Sequence, residues 1–187
     1  AFAEARYGSC DDGDARQIAL RRSLDGGKSW GKVMFPVGNK TYWVGNPSTV
    51  TLFDGTIMVI FAKHDSKCIG DCATGNGAVH SNDDGLTWST VYDISNQLGV
   101  AKGGLPGPGT ALQLSPNPPF HPGRLLIVSH MGGYVHDFVS HSDDGGINWI
   151  TNSRPFAKMD EAALTELPNG SVLLNMRHQE ESVLGRG

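Results

Sequence analysis

The chain has 187 residues, of which 39% are hydrophobic and 18% charged, and its formal net charge is −4. This composition is typical of a globular protein and argues against a disordered chain or a coiled coil. No apolar run approaches the roughly 18 residues of a membrane span. The sequence also has no basic cluster that would indicate a nucleic-acid partner and no signal-peptide pattern.

The predicted elements are strands and turns, without a convincing helix, and the 25 glycines fit a turn-rich all-β chain. From the amino terminus, IALRR is a strand that leads into a turn, and KVMF is a strand that leaves it. Residues 48–62 contain two β-rich runs joined by Asp54-Gly55. A dipeptide of this kind between such runs is the strongest short hairpin signal.

The later part of the chain continues with the same kinds of element. Residues 103–123 are rich in Gly and Pro and are predicted to be a loop between strands. Residues 124–131 and 137–142 are two further predicted strands. Residues 162–177 repeat the hairpin pattern around Asn169-Gly170.

One turn motif occurs three times, as SLDGGKSW at 23–30, SNDDGLTW at 81–88 and SDDGGINW at 142–149. Its Ser and Asp side chains can accept hydrogen bonds from nearby backbone N–H groups, and its Gly can adopt positive φ. Its Trp can pin each turn against neighbouring elements. We predict a structural role for Ser23, Asp25, Gly27, Trp30, Ser81, Asp83, Gly85, Trp88, Ser142, Asp144, Gly146 and Trp149.

The copies of this motif are 58 to 61 positions apart, which indicates a solenoid or a propeller. Each unit contains roughly four strands, and four antiparallel strands per repeat describe the blade of a β-propeller. We therefore predict an all-β fold with about three four-stranded blades within residues 1–187.

The three cysteines, Cys10, Cys68 and Cys72, do not form a zinc-binding pattern, because CIGDC has three intervening residues and no partner pair. A disulfide between Cys68 and Cys72 and free thiols in a loop are both compatible with this spacing.

Several segments together resemble one family. AFAEAR and DDGDARQIALRR precede the first motif, and GNPSTV, PGPGTALQL and DEAALTELPNGSVLLNMR follow in order. With the repeated motif they resemble the sialidases (neuraminidases), especially the animal lysosomal type. The resemblance implies a six-bladed propeller. Residues 1–187 would then be a partial sialidase propeller domain, with about half of the fold outside them.

The same resemblance implies a retaining exo-α-sialidase that releases terminal sialic acids from glycoproteins, gangliosides and oligosaccharides. Sialic acid carries a carboxylate on the carbon where the glycosidic bond breaks, so the site needs arginines that bind a carboxylate bidentately. A carboxylate nucleophile would meet repulsion there, and sialidases use a Tyr instead. A Glu takes the phenol proton, and an Asp acts as the acid and base. No metal or organic cofactor is expected.

Five residues match site positions of the family. Asp12 matches the acid and base, with Asp11 as the alternative if the loop slips by one residue, and Glu161 matches the activator of the Tyr. Arg177 matches one arginine of the triad that binds the sialic acid carboxylate. Arg6 matches a further arginine of the pocket. Asn46 lies in a landmark loop on the substrate side.

Each of these positions also has an ordinary structural interpretation. Asp12 could belong to a solvated acidic turn, Arg177 could be a surface charge, and Asn46 could cap a turn before Pro47. Arg16 occupies the third ligand position of a calcium-loop pattern, which argues against calcium at this turn. His130 is a weaker candidate for the glycerol side of the sugar.

The other two arginines of the triad and the nucleophilic Tyr are expected outside residues 1–187, because no segment here matches them. In particular, Tyr7, Tyr42, Tyr92 and Tyr134 match none of these positions. Residues 1–187 alone are therefore expected to be inert.

Two alternatives remain: a non-catalytic propeller that binds carbohydrate or protein, and a glycosidase that acts on neutral polysaccharide. Convergence of Asp12, Glu161 and Arg177 in one pocket would favour the sialidase.

Lysosomal or secreted localisation is expected from the resemblance. NKT at 39–41 and NGS at 169–171 are formal glycosylation acceptors, whereas NPS at 46–48 is disqualified by its Pro.

Overall fold

The computed structural model describes residues 1–8, 15–38, 43–64, 75–98, 104–107, 109–116, 120–130 and 136–178. Within these ranges all regular secondary structure is β, as predicted. The strands are β1 (Phe2–Arg6), β2 (Arg16–Leu20), β3 (Met34–Val37), β4 (Trp43–Thr51), β5 (Ile57–His64), β6 (Gly75–Ser81), β7 (Tyr92–Asp93), β8 (Leu105–Pro106), β9 (Gly109–Thr110), β10 (Leu112–Gln113), β11 (Leu125–His130), β12 (His136–Ser142), β13 (Ile150–Thr151), β14 (Phe156–Ala157), β15 (Met159–Glu166) and β16 (Val172–His178).

The strands form four sheets. Sheet I is β1-β2-β3, and sheet II is β7-β6-β5-β4-β9. Sheet III has the order β10-β11-β12-β13, with β8 also paired to β11 and β14 to β12, and sheet IV is the pair β15-β16. Neighbouring strands are antiparallel except β4 and β9. Successive antiparallel sheets of this kind are the blades of a propeller, although the described strands of sheets I and IV make incomplete blades.

The two predicted hairpins are present. In sheet II, Thr51 pairs with Ile57, and Gly55 of the turn has φ 90°. In sheet IV, Glu166 pairs with Val172 around the turn that contains Asn169-Gly170. In both, the last turn residue is a Gly with positive φ, the arrangement that three-residue hairpin turns favour.

The segment 103–123 is more than the predicted loop. Its described residues include β8 and β10, which both pair with β11, and β9, which pairs with β4. Short pairings of this kind satisfy backbone groups that would otherwise be buried without partners. The segment thus connects sheet II to sheet III.

The three turn motifs share one hydrogen-bond pattern. In the third copy, the Ser142 hydroxyl donates to Asp144 over 2.8 Å and accepts from the Gly146 N–H over 2.9 Å. Asp144 also accepts from the backbone and side-chain N–H groups of Asn148, at 2.9 and 2.6 Å. The other copies repeat these contacts, with Ser29 and Thr87 in the place of Asn148.

The hydrophobic core lies between sheets. One cluster joins Ile18 and Val37 of sheet I to the inner strands of sheet II. A second joins Met58 and Ile60 of sheet II to Leu125 of sheet III, and a third joins sheet III to sheet IV. Burial between neighbouring sheets is therefore what holds the blades together.

The motif tryptophans do not all pack as expected. Trp149 is 5% exposed within the cluster between sheets II and III, and Trp88 is half-buried against the ring of Phe2, with centroids 5.8 Å apart. Trp30 is 46% exposed, so the expectation that each Trp pins its turn is wrong for this copy. Trp88 and Trp149 each pack on the sheet before their own, and the described residues include no sheet before sheet I.

Candidate active site

Four of the predicted site residues, Arg6, Asn46, Glu161 and Arg177, are described, and they lie at one end of the sheets, opposite to the turn motifs. At the motif end, the register pairs are Phe2–Leu20, Ile57–Ser81, Leu125–Ser142 and Glu166–Val172. At the other end they are Arg6–Arg16, Ala62–Asn76, His130–Asp137 and Asp160–Arg177. We call the end with the second set the polar end.

At the polar end of sheet I, Arg6 is held by Glu4. The strand period of two residues places both side chains on the same face of β1. The Arg6 guanidinium donates from Nη2 to Glu4 Oε2 over 3.2 Å. The same carboxylate oxygen accepts from Arg16 Nη1 over 2.5 Å. Glu4 therefore joins the predicted pocket arginine to a second arginine.

Arg16 is buried beneath this contact. It is 2% exposed, and its guanidinium lies over the Trp43 ring, 4.6 Å from the ring centroid. A buried guanidinium needs a carboxylate partner to offset the loss of water, and stacking on an indole adds to its stability. Arg16 and Trp43 thus form a rigid base for Glu4 and Arg6.

Asn46 connects sheets I, II and III. Its backbone N–H donates to Glu4 Oε1 over 2.7 Å, and its side-chain amide donates to the carbonyl of Pro106 over 3.2 Å. Its φ of 50° falls in the left-handed region that Asn tolerates, within the irregularity of β4 between Gly45 and Ser48. These contacts support a structural role, and a contact with substrate stays a prediction.

At the polar end of sheet IV, Glu161 and Arg177 are in direct contact. Arg177 Nη1 donates to Glu161 Oε2 over 2.7 Å, and Arg177 Nη2 donates to Asp160 Oδ2. A register irregularity between Asp160 and Ala162 turns both acidic side chains toward the same arginine. The side chains of Arg177 and Glu161 are about half exposed, whereas Asp160 is buried.

His130 and Asp137 lie behind this contact. They pair across β11 and β12 and are both buried. His130 Nδ1 lies 3.6 Å from Asp160 Oδ1, so sheet III meets sheet IV at this carboxylate. Burial, and then the negative charge of Asp160, raise the pKa of Asp137 to about 7. The burial of His130 argues against a direct contact with sugar.

These contacts follow one another around the polar end. Asn46 joins sheets I and II, and the Asn76 amide donates to the carbonyl of Gly104 over 2.7 Å between sheet II and the β8 segment. His130 and Asp160 then join sheets III and IV. Arg6, Asn46, Glu161 and Arg177 consequently lie on one continuous side of the structure.

Asp12 and its alternative Asp11 lie outside the described residues, as do Cys10, Cys68, Cys72, Tyr42 and Tyr134. The backbone on either side of the Asp12 segment is described. The Tyr7 N–H donates to the carbonyl of Ala15 over 3.1 Å, beside Arg6 and Arg16. Tyr7 and Ala15, which flank this segment, are therefore joined at the polar end of sheet I.

Four residues of this end were not predicted from the sequence: Glu4, Arg16, Asp137 and Asp160. The sequence could have indicated Glu4, because it stands two residues before Arg6, and Asp160, because it directly precedes Glu161. Asp137 gave no signal, because a single Asp at the start of a strand is usually exposed.

The described residues include no group of three or more His, Cys, Asp or Glu side chains that could hold a metal ion. Nor does the described part of the chain contain a helix long and apolar enough to cross a membrane.

Comparison with known proteins gives a consistent set of relatives, although no family model matches the chain. A sialidase of Clostridium perfringens is 25% identical over 196 residues, covering 95% of this chain and 51% of that protein. A sialidase of Micromonospora viridifaciens is 32% identical, covering 88% and 28%, and mouse Sialidase-4 is 31% identical, covering 80% and 36%. The chain thus spans about half or less of these relatives.

Solved structures agree on the fold. The sialidase of Trypanosoma rangeli in complex with the inhibitor DANA superposes with a TM-score of 0.75 at 17% identity, covering 95% of this chain and 32% of that one. The intramolecular trans-sialidase of Ruminococcus gnavus superposes with a TM-score of 0.76 at 16% identity, covering 95% and 62%. The four sheets are therefore propeller blades.

Proposed function

The chain belongs to the sialidase family, and we propose that the protein containing it is a retaining exo-α-sialidase. The observation that carries this proposal is the direct contact of Glu161 with Arg177 on the same side of the structure as Arg6. A cationic surface with a carboxylate beside it is the arrangement that hydrolysis of an anionic glycoside by a Tyr nucleophile requires.

Arg177 would bind the carboxylate of the sugar. Its Nη1 contact with Glu161 is half exposed, and exposed ion pairs contribute little free energy, so an incoming carboxylate can replace it. The replaced Glu161 is then free to accept the proton of the Tyr that attacks the anomeric carbon. One exchange would thus both bind the substrate and release the general base.

Asp12 would protonate the leaving oxygen and later activate water. Two features support this role: the match of its position to the family, and the attachment of its segment to β1 and β2 at the polar end. Arg6 would contribute positive charge to the pocket from the strand that precedes this segment.

The proposed substrates are sialylated glycans, including glycoproteins, oligosaccharides and gangliosides, and the proposed location is the lysosome or the extracellular space. The sequence resemblance to animal lysosomal sialidases supports both. The similarity to mouse Sialidase-4 is consistent with an animal type of enzyme, although the bacterial relatives are equally similar in sequence.

The test is an assay of the protein expressed from its complete reading frame. Proton NMR of the released sugar during hydrolysis of an α-sialoside should show the α anomer first, because double displacement retains configuration. Release of the β anomer first would overturn the retaining mechanism. Binding of sialosides without turnover would instead favour a carbohydrate-binding propeller.

A further inference from the structure

Three titratable side chains are buried together where β11, β12 and β15 meet. Asp137 and Asp160 are 0% exposed and His130 is 3% exposed. Burying two carboxyl groups side by side is costly unless their charges are compensated or one of them is neutral. The proposed mechanism gives no direct role to Asp137 or Asp160, so the cluster needs an explanation of its own.

Among the described residues, Arg177 contacts two carboxylates that differ in exposure. Glu161 is 46% exposed, so water can solvate it when a substrate displaces it. Asp160 is buried and cannot be solvated in the same way, so it keeps its contact with Arg177 Nη2. Asp160 therefore keeps the guanidinium in place through Nη2, while Nη1 can exchange Glu161 for the carboxylate of a substrate.

The position of Asp137 makes it sensitive to the charge of Asp160. Neither of its carboxyl oxygens has a hydrogen-bond partner among the described residues. In the described part of the chain, the titratable groups facing Asp137 are His130 from β11 and Asp160 from β15, and the residues of β14 that pair with β12 are Phe156 and Ala157. Arg177, on β16, is linked to this cluster by its hydrogen bond to Asp160.

We propose that Asp160 and Asp137 are positioning residues for Arg177: Asp160 orients the guanidinium toward the sugar carboxylate, and Asp137, buried in the same cluster, controls how strongly Asp160 and Arg177 attract an anion. This inference rests on the proposed function of Arg177. The raised pKa of Asp137 supports it, because at mildly acidic pH the cluster then carries one buried negative charge instead of two.

Ionisation of Asp137 should weaken the binding of an anionic ligand. A second buried negative charge repels Asp160 and lowers the positive potential at Arg177. By linkage, an anion whose binding raises the pKa of Asp137 by about one unit loses about tenfold in affinity when Asp137 ionises. Since Asp137 titrates at about 7, the loss should occur as the pH rises through neutrality.

The experiment compares wild-type protein, expressed from its complete reading frame, with Asp137→Asn, which keeps the shape of the side chain without its ionisation. The dissociation constant of 2-deoxy-2,3-didehydro-sialic acid is measured by calorimetry from pH 5 to pH 9. The wild type should lose about tenfold in affinity across pH 7, and Asp137→Asn should lack this step. Asp143→Asn is the matched control, because it removes the charge of an exposed Asp in the turn that follows β12 and should keep the wild-type profile.

Asp160→Asn tests the other half of the proposal. It should raise KM for a sialoside more than it lowers kcat, because Arg177 loses orientation before the chemical step. Carbon-13 NMR of the Asp137 carboxyl in the wild type reports its titration without any substitution, so a variant that fails to fold does not end the test.

The inference is overturned if Asp137→Asn keeps the wild-type pH step, or if the Asp137 carboxyl titrates near 4. Either result leaves the proposed function standing when the wild type still hydrolyses sialosides. A wild-type protein that neither binds nor hydrolyses a sialoside at any pH overturns the proposed function and this inference together.

Discussion

At the scale of single residues, the pairing of Arg177 explains why its chemistry depends on more than its charge. Its fork reaches Asp160 with one nitrogen and Glu161 with another, so both the position and the planarity of the guanidinium are used. Arg6 is held in a comparable way by Glu4, which itself rests on the buried Arg16. Each predicted arginine thus has a carboxylate that orients it.

Arg177→Lys should weaken sialoside binding while the fold survives, because Lys keeps the charge but lacks the fork. The loss should be about 1–3 kcal/mol, as for a hydrogen bond to a charged group. Inhibitor binding by calorimetry measures it. Arg124→Lys is the control, since Arg124 also binds carboxylate oxygens through two guanidinium nitrogens, both to Asp143, at the motif end. Equal affinities for wild type and Arg177→Lys would remove Arg177 from the site.

Asp12→Ala in the complete protein should slow the hydrolysis of sialosides with poor leaving groups most, because those groups require protonation. Activated aryl sialosides should lose less activity. The measurement is kcat/KM for a natural sialoside and for a nitrophenyl sialoside. Equal losses on the two substrates would assign the acid role to Asp11 or leave Asp12 a structural role.

At the scale of elements, the turn motif is the most regular feature of the structure. Its Asp accepts three or four hydrogen bonds in each copy, and these lower the pKa of Asp25 and Asp83 to about 2, chiefly through the hydroxyls of Ser29 and Thr87. A carboxyl whose pKa is depressed in the folded state stabilises the fold above its unfolded pKa. This contribution is lost as the pH falls from about 4 toward 2.

Gly146→Ala should destabilise the third motif more than Gly145→Ala does. Both glycines have positive φ, at 91° and 74°, so both substitutions are expected to cost about 1–2 kcal/mol of backbone strain. A Cβ at Gly146 would also lie 2.5 Å from Met58 Cε, whereas a Cβ at Gly145 would meet nothing within 4 Å. Overpacking should therefore add about 1–3 kcal/mol at Gly146.

Thermal unfolding of both variants, in the protein from its complete reading frame, measures this difference. Equal melting temperatures for Gly146→Ala and Gly145→Ala would show that Met58 moves aside at no cost, and that the contact between sheets II and III tolerates the additional methyl group.

At the scale of the whole molecule, the four sheets depend on their neighbours. The clusters that contain Val59, Ile127 and Leu164 each join two consecutive sheets, so the core formed by the described residues is shared between sheets. In repeat architectures of this kind, stability resides largely in the interfaces between neighbours. Exposed apolar side chains lie in the outermost units, as at Phe35 and Leu173, and also beside the two inner sheets, as at Phe53 and Phe120.

Residues 1–187 expressed alone should aggregate and should not hydrolyse a fluorogenic sialoside. Trp30 and Phe35 in the first unit are 46% and 47% exposed, and Leu173 in sheet IV is 52% exposed, which leaves apolar surface at both ends. Size-exclusion chromatography and an assay from pH 4.5 to 7 test this. A stable, active monomer would contradict the assignment of the nucleophile to residues outside this chain.

Much of the fold could be predicted from the sequence because its signals are local. Asp54-Gly55 and Asn169-Gly170 specify turns by their own backbone preferences, and the Ser-Asp-Gly motif closes on itself within eight residues. Alternating apolar residues then specify the strands on either side. The three two-residue strands of the 103–123 segment were not predictable, because their pairing partners lie in β4 and β11.

For the site, the sequence determined which residues resemble a sialidase: Arg6, Asp12, Asn46, Glu161 and Arg177. Only the tertiary structure decided which carboxylates hold Arg6 and Arg177, that Arg16 is buried against Trp43, and that Asp137 lies near Asp160. The physical reason is that burial and electrostatic coupling arise between groups far apart in the chain. Burial between the sheets, and then the carboxylate of Asp160 in the next sheet, raise the pKa of Asp137, and no local pattern in DFVSHS contains that information.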